Sequence, residues 1–337
     1  MNNTINYPPL AQVPGLKFRH WRDRSDFQIS SDIWHAQRVM SGVDLTFSAK
    51  DFEKEVGWFE HFDIYQQYVY VEHQNQPIGY FTFSWEQGGD LRYNLHLDGS
   101  LIPAFYRGEI ADCMIRYAEE NLREMTRSLP NEHPKVFMVW SRLKNQRACN
   151  FYQQHGYQIS RYFFKMSRPI DLPLGEYPLP SGLEIFPVTP DHYRAIWDAE
   201  QEAFRDHWGY IPPQEHHFEQ WQQGSHFQPQ YWKVAWDTET NRVAGMVRNF
   251  HKPEEDTEFN RKRGYTENIS VQRPWRGKGV AKTLIAESIR MFRDMGMQET
   301  FLNVDAENPT GALKLYHAMG YMELPDKTTA IFEKECE

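Results

Sequence analysis

Short stretches in which β-branched and aromatic residues recur at every second position alternate with clusters of Gly, Pro, Asn and Asp, the pattern of half-buried strands ended by turns. In the first half the pattern predicts strands at 16–21, 68–73, 78–85, 91–97 and 136–140. The same order recurs in the second half at 183–188, 232–236, 243–249, 265–271 and 300–304. In both halves the fourth strand runs into an Arg-Gly turn, Arg107-Gly108 and Arg276-Gly277, and a helix follows, spanning about 280–293 in the second half. Each half then closes on a short helix ending in Gly-Tyr, at Gly156-Tyr157 and Gly320-Tyr321, and on final strands. Two motifs in one order at similar separation point to an internal duplication. Four prolines and two glycines between 169 and 182 forbid a continuous helix or central strand. They set a linker at 171–182 between a domain at 1–170 and another at 183–337. The fold class expected for each is α/β (α+β), a mixed sheet flanked by helices.

Length and composition agree with this division, since 337 residues exceed what one core usually organises. No apolar run is long enough to span a membrane, and residues 1–14 lack the zones of a signal peptide, so a cytoplasmic chain without membrane attachment is expected. Three cysteines with no CxxC pair give neither a disulfide framework nor a metal cluster. The formal net charge of -9 disfavours nucleic acid, whose phosphates need a surplus of Lys and Arg, and would steer a cationic partner inward.

The chemistry gathers at 276–281. A strand, a glycine turn and a helix start make an anion site, because the first amides of a helix lack internal partners and carry the positive end of its dipole. Gly277, Gly279 and Ala281 keep the backbone approachable. Spacing separates three phosphate-binding readings. The dinucleotide fingerprint fails because Lys282 stands where its third small residue belongs. A P-loop has its Lys-Thr pair in Lys282-Thr283, with Asp305 as a magnesium carboxylate, but Ala281 replaces the required glycine and the upstream glycine is missing. The pattern Arg/Gln-x-x-Gly-x-Gly/Ala is met by Arg276, Gly279 and Ala281 directly after a strand ending in Val271.

On these residues, and on the later stretch from Asn308 through Pro309, Thr310 and Gly311 to Tyr316, the sequence resembles the GNAT superfamily of acetyltransferases. The resemblance covers nearly the whole chain as two tandem, mostly antiparallel GNAT-like domains, an arrangement similar to mycothiol synthase-like members. It implies an N-acetyltransferase that uses acetyl-CoA as co-substrate, without a metal, and acylates a primary amine on a small molecule or peptide in a ternary complex. The backbone of Ile269, Ser270 and Val271 would pair with the pantetheine arm. Amides of Arg276, Gly277, Lys278, Gly279, Val280 and Ala281 would hold the pyrophosphate, and Asn308 would contact the cofactor. Direct attack on a thioester needs a neutral amine, a held oxyanion and a protonated thiolate. Glu267 is the candidate base, sharing a face with Ile269 and Val271 on a regular strand; a bulge would put Thr266 or Asn268 there instead, and a solvated strand residue is the plain alternative. Tyr316 is the candidate proton donor, with a core aromatic as its alternative, and a backbone N–H of 269–271 the oxyanion donor.

The first half keeps the later motif at 145–152, but Ile110 and Asp112 fall where Gly279 and Ala281 stand, so it is expected not to bind the cofactor. A shift by one residue would bring Ala111 to the glycine position. The aromatic-dense stretch 204–210 is either an acceptor wall or interface packing. Arg261-Lys262-Arg263 is either a solvated run or a contact for the cofactor's remaining phosphate, and His216-His217 lacks ligand spacing. Two other classes are weighed beside the enzyme: a non-enzymatic acyl-CoA-binding module and a P-loop nucleotidase.

Overall fold

The computed structural model describes residues 3–56, 61–308 and 310–337. Two compact units result, Met1–Arg161 with Thr329–Glu337, and Tyr162–Thr328. In the first unit the order is β1 (Thr4–Ile5), β2 (Leu16–His20), α1 (Asp26–Ser41), α2 (Ala49–Val56), α3 (Ile64–Gln67), β3 (Tyr68–His73), β4 (Gln76–Gln87), β5 (Tyr93–Leu101), α4 (Gly108–Met125), β6 (Lys135–Arg142) and α5 (Gln146–Gln154). Next comes β7 (Gln158–Pro169), followed by β8 (Leu183–Ile185), α6 (Tyr193–Phe204), α7 (Glu215–Gln223), β9 (Lys233–Asp237), β10 (Arg242–His251), α8 (Pro253–Glu258), β11 (Arg263–Val271), α9 (Val280–Asp294), β12 (Glu299–Asp305), α10 (Ala312–Ala318) and β13 (Met322–Glu323). The last strand is β14 (Thr329–Glu335).

The first unit's sheet runs β1-β2-β3-β4-β5-β6-β14, antiparallel except for β5 and β6. The second runs β8-β9-β10-β11-β12-β7, antiparallel except for β11 and β12, with β13 also on β7. The one parallel step in each sheet is bridged by a helix, α4 or α9, as a parallel connection requires. α9 is the better example of why such a helix forms. Leu284, Ile285, Ile289 and Phe292 recur at helical spacing and are fully buried. Several of them join one core with Ala244 and Val247 of β10 and Leu302 and Val304 of β12. Each such side chain contributes roughly 1.5–3 kcal/mol on burial.

The unit boundaries depart from the sequence expectation of 1–170 and 183–337. Residues 163–169 of β7 pair with 299–305 of β12, within the second unit. Residues 329–335 of β14 pair with 136–142 of β6, within the first. Alternating apolar strands carry no label for the sheet they join, so the final strands expected in each half came without a partner. The stretch 171–182 has no helix or strand, as its prolines demand, yet it is part of the second unit. Buried Arg168 donates to the carbonyls of Met319, Pro169, Leu172 and Pro173, and Leu174, Tyr177 and Leu179 pack on the second core. Among the described residues no helix is long and apolar enough to cross a membrane.

Candidate active site

The site begins where two strands part. β11 and β12 lie side by side only over Arg263↔Glu299, Gly264↔Thr300 and Tyr265↔Phe301. Beyond that point β11 carries a bulge: Met246 faces Ser270 but Arg248 faces Glu267, so two residues of β11 stand against one of β10. Asn268 takes up the extra length with a left-handed φ of 49°, a conformation Asn tolerates better than most residues. The added twist of a bulge suits the separation. Asn268 donates to Glu200 of α6 at 2.7 Å, and buried Glu200 also receives Arg248 at 2.8 Å. The splay holds a cavity of about 550 Å³ lined by residues 266–271, the turn after β11, the end of β12 and the α10 region.

At one end of this cavity Gly277 and Gly279 adopt φ of +75° and +90°, where a side chain would strain the backbone. Gly279 is the N-cap of α9, so the amides of Val280, Ala281 and Lys282 lead the helix with no intrahelical acceptor. Their dipole favours an anion. Arg276 folds back rather than into the cavity. Its Nε donates to the Val271 carbonyl at 3.0 Å and its Nη2 to the Ala203 carbonyl at 3.2 Å.

Glu267 and Tyr316 both line the cavity. Burial pushes the Glu267 carboxyl up to about 7, although Lys165, a backbone hydrogen bond from Asn303 and Arg248 each pull it down. Half-buried, it is surrounded by protein yet reachable from the cleft. Tyr316 is buried on α10, and its phenol is raised well above its ordinary range by that burial and by the neighbouring Glu267 charge. It therefore stays protonated at neutral pH.

Ile269, Ser270, Val271, Arg276, Gly277, Gly279, Val280, Ala281 and Asn308 line the same cavity as the two candidate catalytic residues. Lys278 does not; its ammonium lies over the Trp275 ring, 4.7 Å from the centroid. The bulge does form, but it leaves Glu267 on the cavity: the Thr266 hydroxyl meets Tyr321 and the Phe301 carbonyl, and the Asn268 amide turns to α6. Asn308 does not cap α10, whose N-cap is Gly311; it accepts from Thr310 N at 2.9 Å. Pro309 lies outside the described residues. Arg261 and Arg263 are engaged by Glu255 and Glu299, while Lys262 between them is exposed. His217 completes a capping box with Gln214 at the start of α7.

Phe163 and Asn303 line the cavity without having been singled out as site residues, and Asp305, weighed only as the carboxylate of a P-loop, lines it as well. Phe163 lies on β7, so its signal depended on the strand's assignment to this unit. The stretch 204–210 contributes Phe204 and His207 to the wall, and burial and the nearby Arg276 lower the His207 pKa.

The first unit repeats this layout without its cradle. β4 and β5 stay in unbroken register from Gln87↔Tyr93 to Gly79↔Leu101, and Gly108 opens α4 without a left-handed residue. Ile110 is 1% exposed in the core, and Asp112 pairs with His155 at 2.9 Å. The corresponding cavity is about 80 Å³; Asp98 and Tyr152 line it, where Glu267 and Tyr316 stand in the second unit.

A strand splay, a bulged strand and a glycine-capped helix start thus meet at one cavity, and known proteins share parts of this arrangement. Residues 193–321, within the second unit, match the model of the acetyltransferase (GNAT) family. The mycothiol acetyltransferase of Salinispora arenicola is 26% identical over 191 residues, which is 54% of this chain and 59% of that protein. The chain spans 31% to 64% of the length of the curated relatives it matches. A GCN5-related N-acetyltransferase from Sphaerobacter thermophilus shares the fold with a TM-score of 0.70 at 22% identity, over 96% of each chain. A tandem GNAT protein from the clavulanic acid biosynthesis pathway does so with a TM-score of 0.64 at 13% identity, over 96% of this chain and 99% of that one.

Proposed function

We propose that the chain is an acyl-CoA-dependent N-acyltransferase that transfers an acetyl group to a primary amine on a small molecule or peptide, with one working site per chain, in the second unit. The observation that carries this is the meeting, in one cavity, of a carboxyl poised near 7, a protonated tyrosine and a glycine-capped helix start. The cradle fits a pyrophosphate because the leading amides of α9 have no intrahelical acceptor and open space surrounds the α-carbons of Gly277 and Gly279, although the Arg276 amide is engaged by the Arg273 carbonyl. The parted strands leave the backbone of Ile269, Ser270 and Val271 along the cavity wall, where an extended amide-bearing arm can lie. Acetyl-CoA supplies the activated thioester when bound.

The chain's own residues provide the rest. An alkyl ammonium of pKa about 10.4 cannot attack, so Glu267 takes its proton, directly or through water. A backbone N–H of 269–271 faces the developing oxyanion. Tyr316 gives a proton to the departing thiolate, which at a pKa of about 8.5 leaves without absolute need of it. In the first unit, a core-buried isoleucine, a carboxylate and a regular strand replace each element of the cradle, which supports reading that unit as silent toward the cofactor. The test is free-thiol release from acetyl-CoA across a panel of amines, with Glu267→Gln and Tyr316→Phe beside the parent. Amine-dependent release that both substitutions reduce is expected. Binding without turnover on any amine would make the chain a non-enzymatic module.

A further inference from the structure

The turn that forms the anion cradle is also fastened to α6, the helix whose end lines the same cavity. Gln272 Nε2 donates to the Ala199 carbonyl at 2.5 Å, and Arg276 Nη2 to the Ala203 carbonyl at 3.2 Å. Ala203 lies in the last turn of α6, where carbonyls lack internal donors and the dipole favours cations, and Ala199 lies one turn earlier. Just beyond the helix, Asp206 receives Arg273 Nη2 on both oxygens at 2.6 and 2.5 Å and lies 3.8 Å from Arg276 Nη1. Glu202, one turn earlier, is 3.6 Å from Arg273 Nη1. The same end of α6 delivers Ala203, Phe204 and His207 to the cavity.

We propose that Asp206 is a positioning residue that couples the cofactor turn to the acceptor wall by holding Arg273 and Arg276 against the end of α6. A phosphate arriving at 276–281 brings a second negative charge to the turn that carries these two guanidiniums. It draws on the charge that Asp206 holds, so occupation of the turn is felt at Phe204 and His207. Asp206 therefore opposes cofactor binding slightly and orders the acceptor wall in return. Glu202 carries an equal charge one turn earlier and bonds Arg205 at 2.9 Å rather than Arg273, which makes it the control for a nearby charge that does not hold the turn.

The inference rests on the proposed acyl-CoA site, and the experiment separates the two. Calorimetric titration with CoA and steady-state KM values for acetyl-CoA and the best amine are measured on the parent, Asp206→Asn, Asp206→Glu and Glu202→Gln. Asp206→Asn is expected to tighten CoA by about threefold to fivefold, the scale of a partly exposed ion pair, and to raise the amine KM by a similar factor. Asp206→Glu is expected to restore both values, and Glu202→Gln to change neither by as much. Equal effects of Asp206→Asn and Glu202→Gln, or an unchanged amine KM, would overturn the coupling while leaving the site intact. A parent chain that does not bind CoA would overturn both.

Discussion

Replacing Glu267 by Gln should cost activity and raise stability, and both effects follow from one physical cause. Burial lifts the carboxyl from 4.5 to about 7, so the folded protein favours the neutral form more than the unfolded chain does. The sign follows directly. Stability is full below pH 4.5, where Glu267 is protonated in both states, and is lost as pH rises through about 7, where the folded protein must hold a desolvated charge. The displacement corresponds to up to roughly 3 kcal/mol at pH 8. Glutamine keeps an oxygen for the Asn303 backbone hydrogen bond and carries no charge. Thermal unfolding of Glu267→Gln should therefore begin up to roughly 10 °C above the parent at pH 8, with the gap closing near pH 4.5. In the parent, kcat/KM should fall as pH drops through about 7 because the base becomes protonated. The variant should lose about a hundredfold to ten-thousandfold in rate and lack that acid limb. A variant that keeps the limb, or gains no stability at pH 8, would refute the assignment of Glu267 as a desolvated base.

Two further outcomes bear on the site and its frame. Tyr316→Phe should slow turnover by at most about a hundredfold with little change in either KM, since a thiolate leaves without strict need of an acid; complete loss in a folded variant would contradict a proton-donor role. Gly264→Ala would place a Cβ 2.4 Å from the ring of Phe292, which is fully buried, and overpacking of this kind costs about 1–3 kcal/mol. An unchanged urea midpoint would contradict the close contact of β11 with α9.

The sequence carried the glycine turn at 276–281 because its demands are local. Positive φ at Gly277 and Gly279 and a small residue at Ala281 leave a signature within six positions. Tyr316 was legible for the same reason, as the end of a contiguous motif. The bulge at Asn268 was open in the sequence, because an Asn inside an alternating strand is compatible with either register until pairing with β10 is known. Phe163 was out of reach, since its role depends on β7 joining β12, a pairing between strands more than a hundred residues apart. For Lys278 the motif spoke only of the backbone amide, and the packing of its ammonium on Trp275 had no signal in the spacing.

The central claim is that acyl-CoA binds at the 276–281 turn of the second unit and nowhere else in the chain. Transplanting the first half's carboxylate, as Ala281→Asp, puts a like charge beside the cradle, at a cost of roughly 1 to 4 kcal/mol for a contact near ~4 Å. That corresponds to about fivefold to a thousandfold in affinity. Calorimetric titration of the full chain with acetyl-CoA measures number and location together. One molecule bound per chain, weakened to that extent by Ala281→Asp, is the predicted result; two comparable sites, or an affinity that Ala281→Asp leaves untouched, would contradict it.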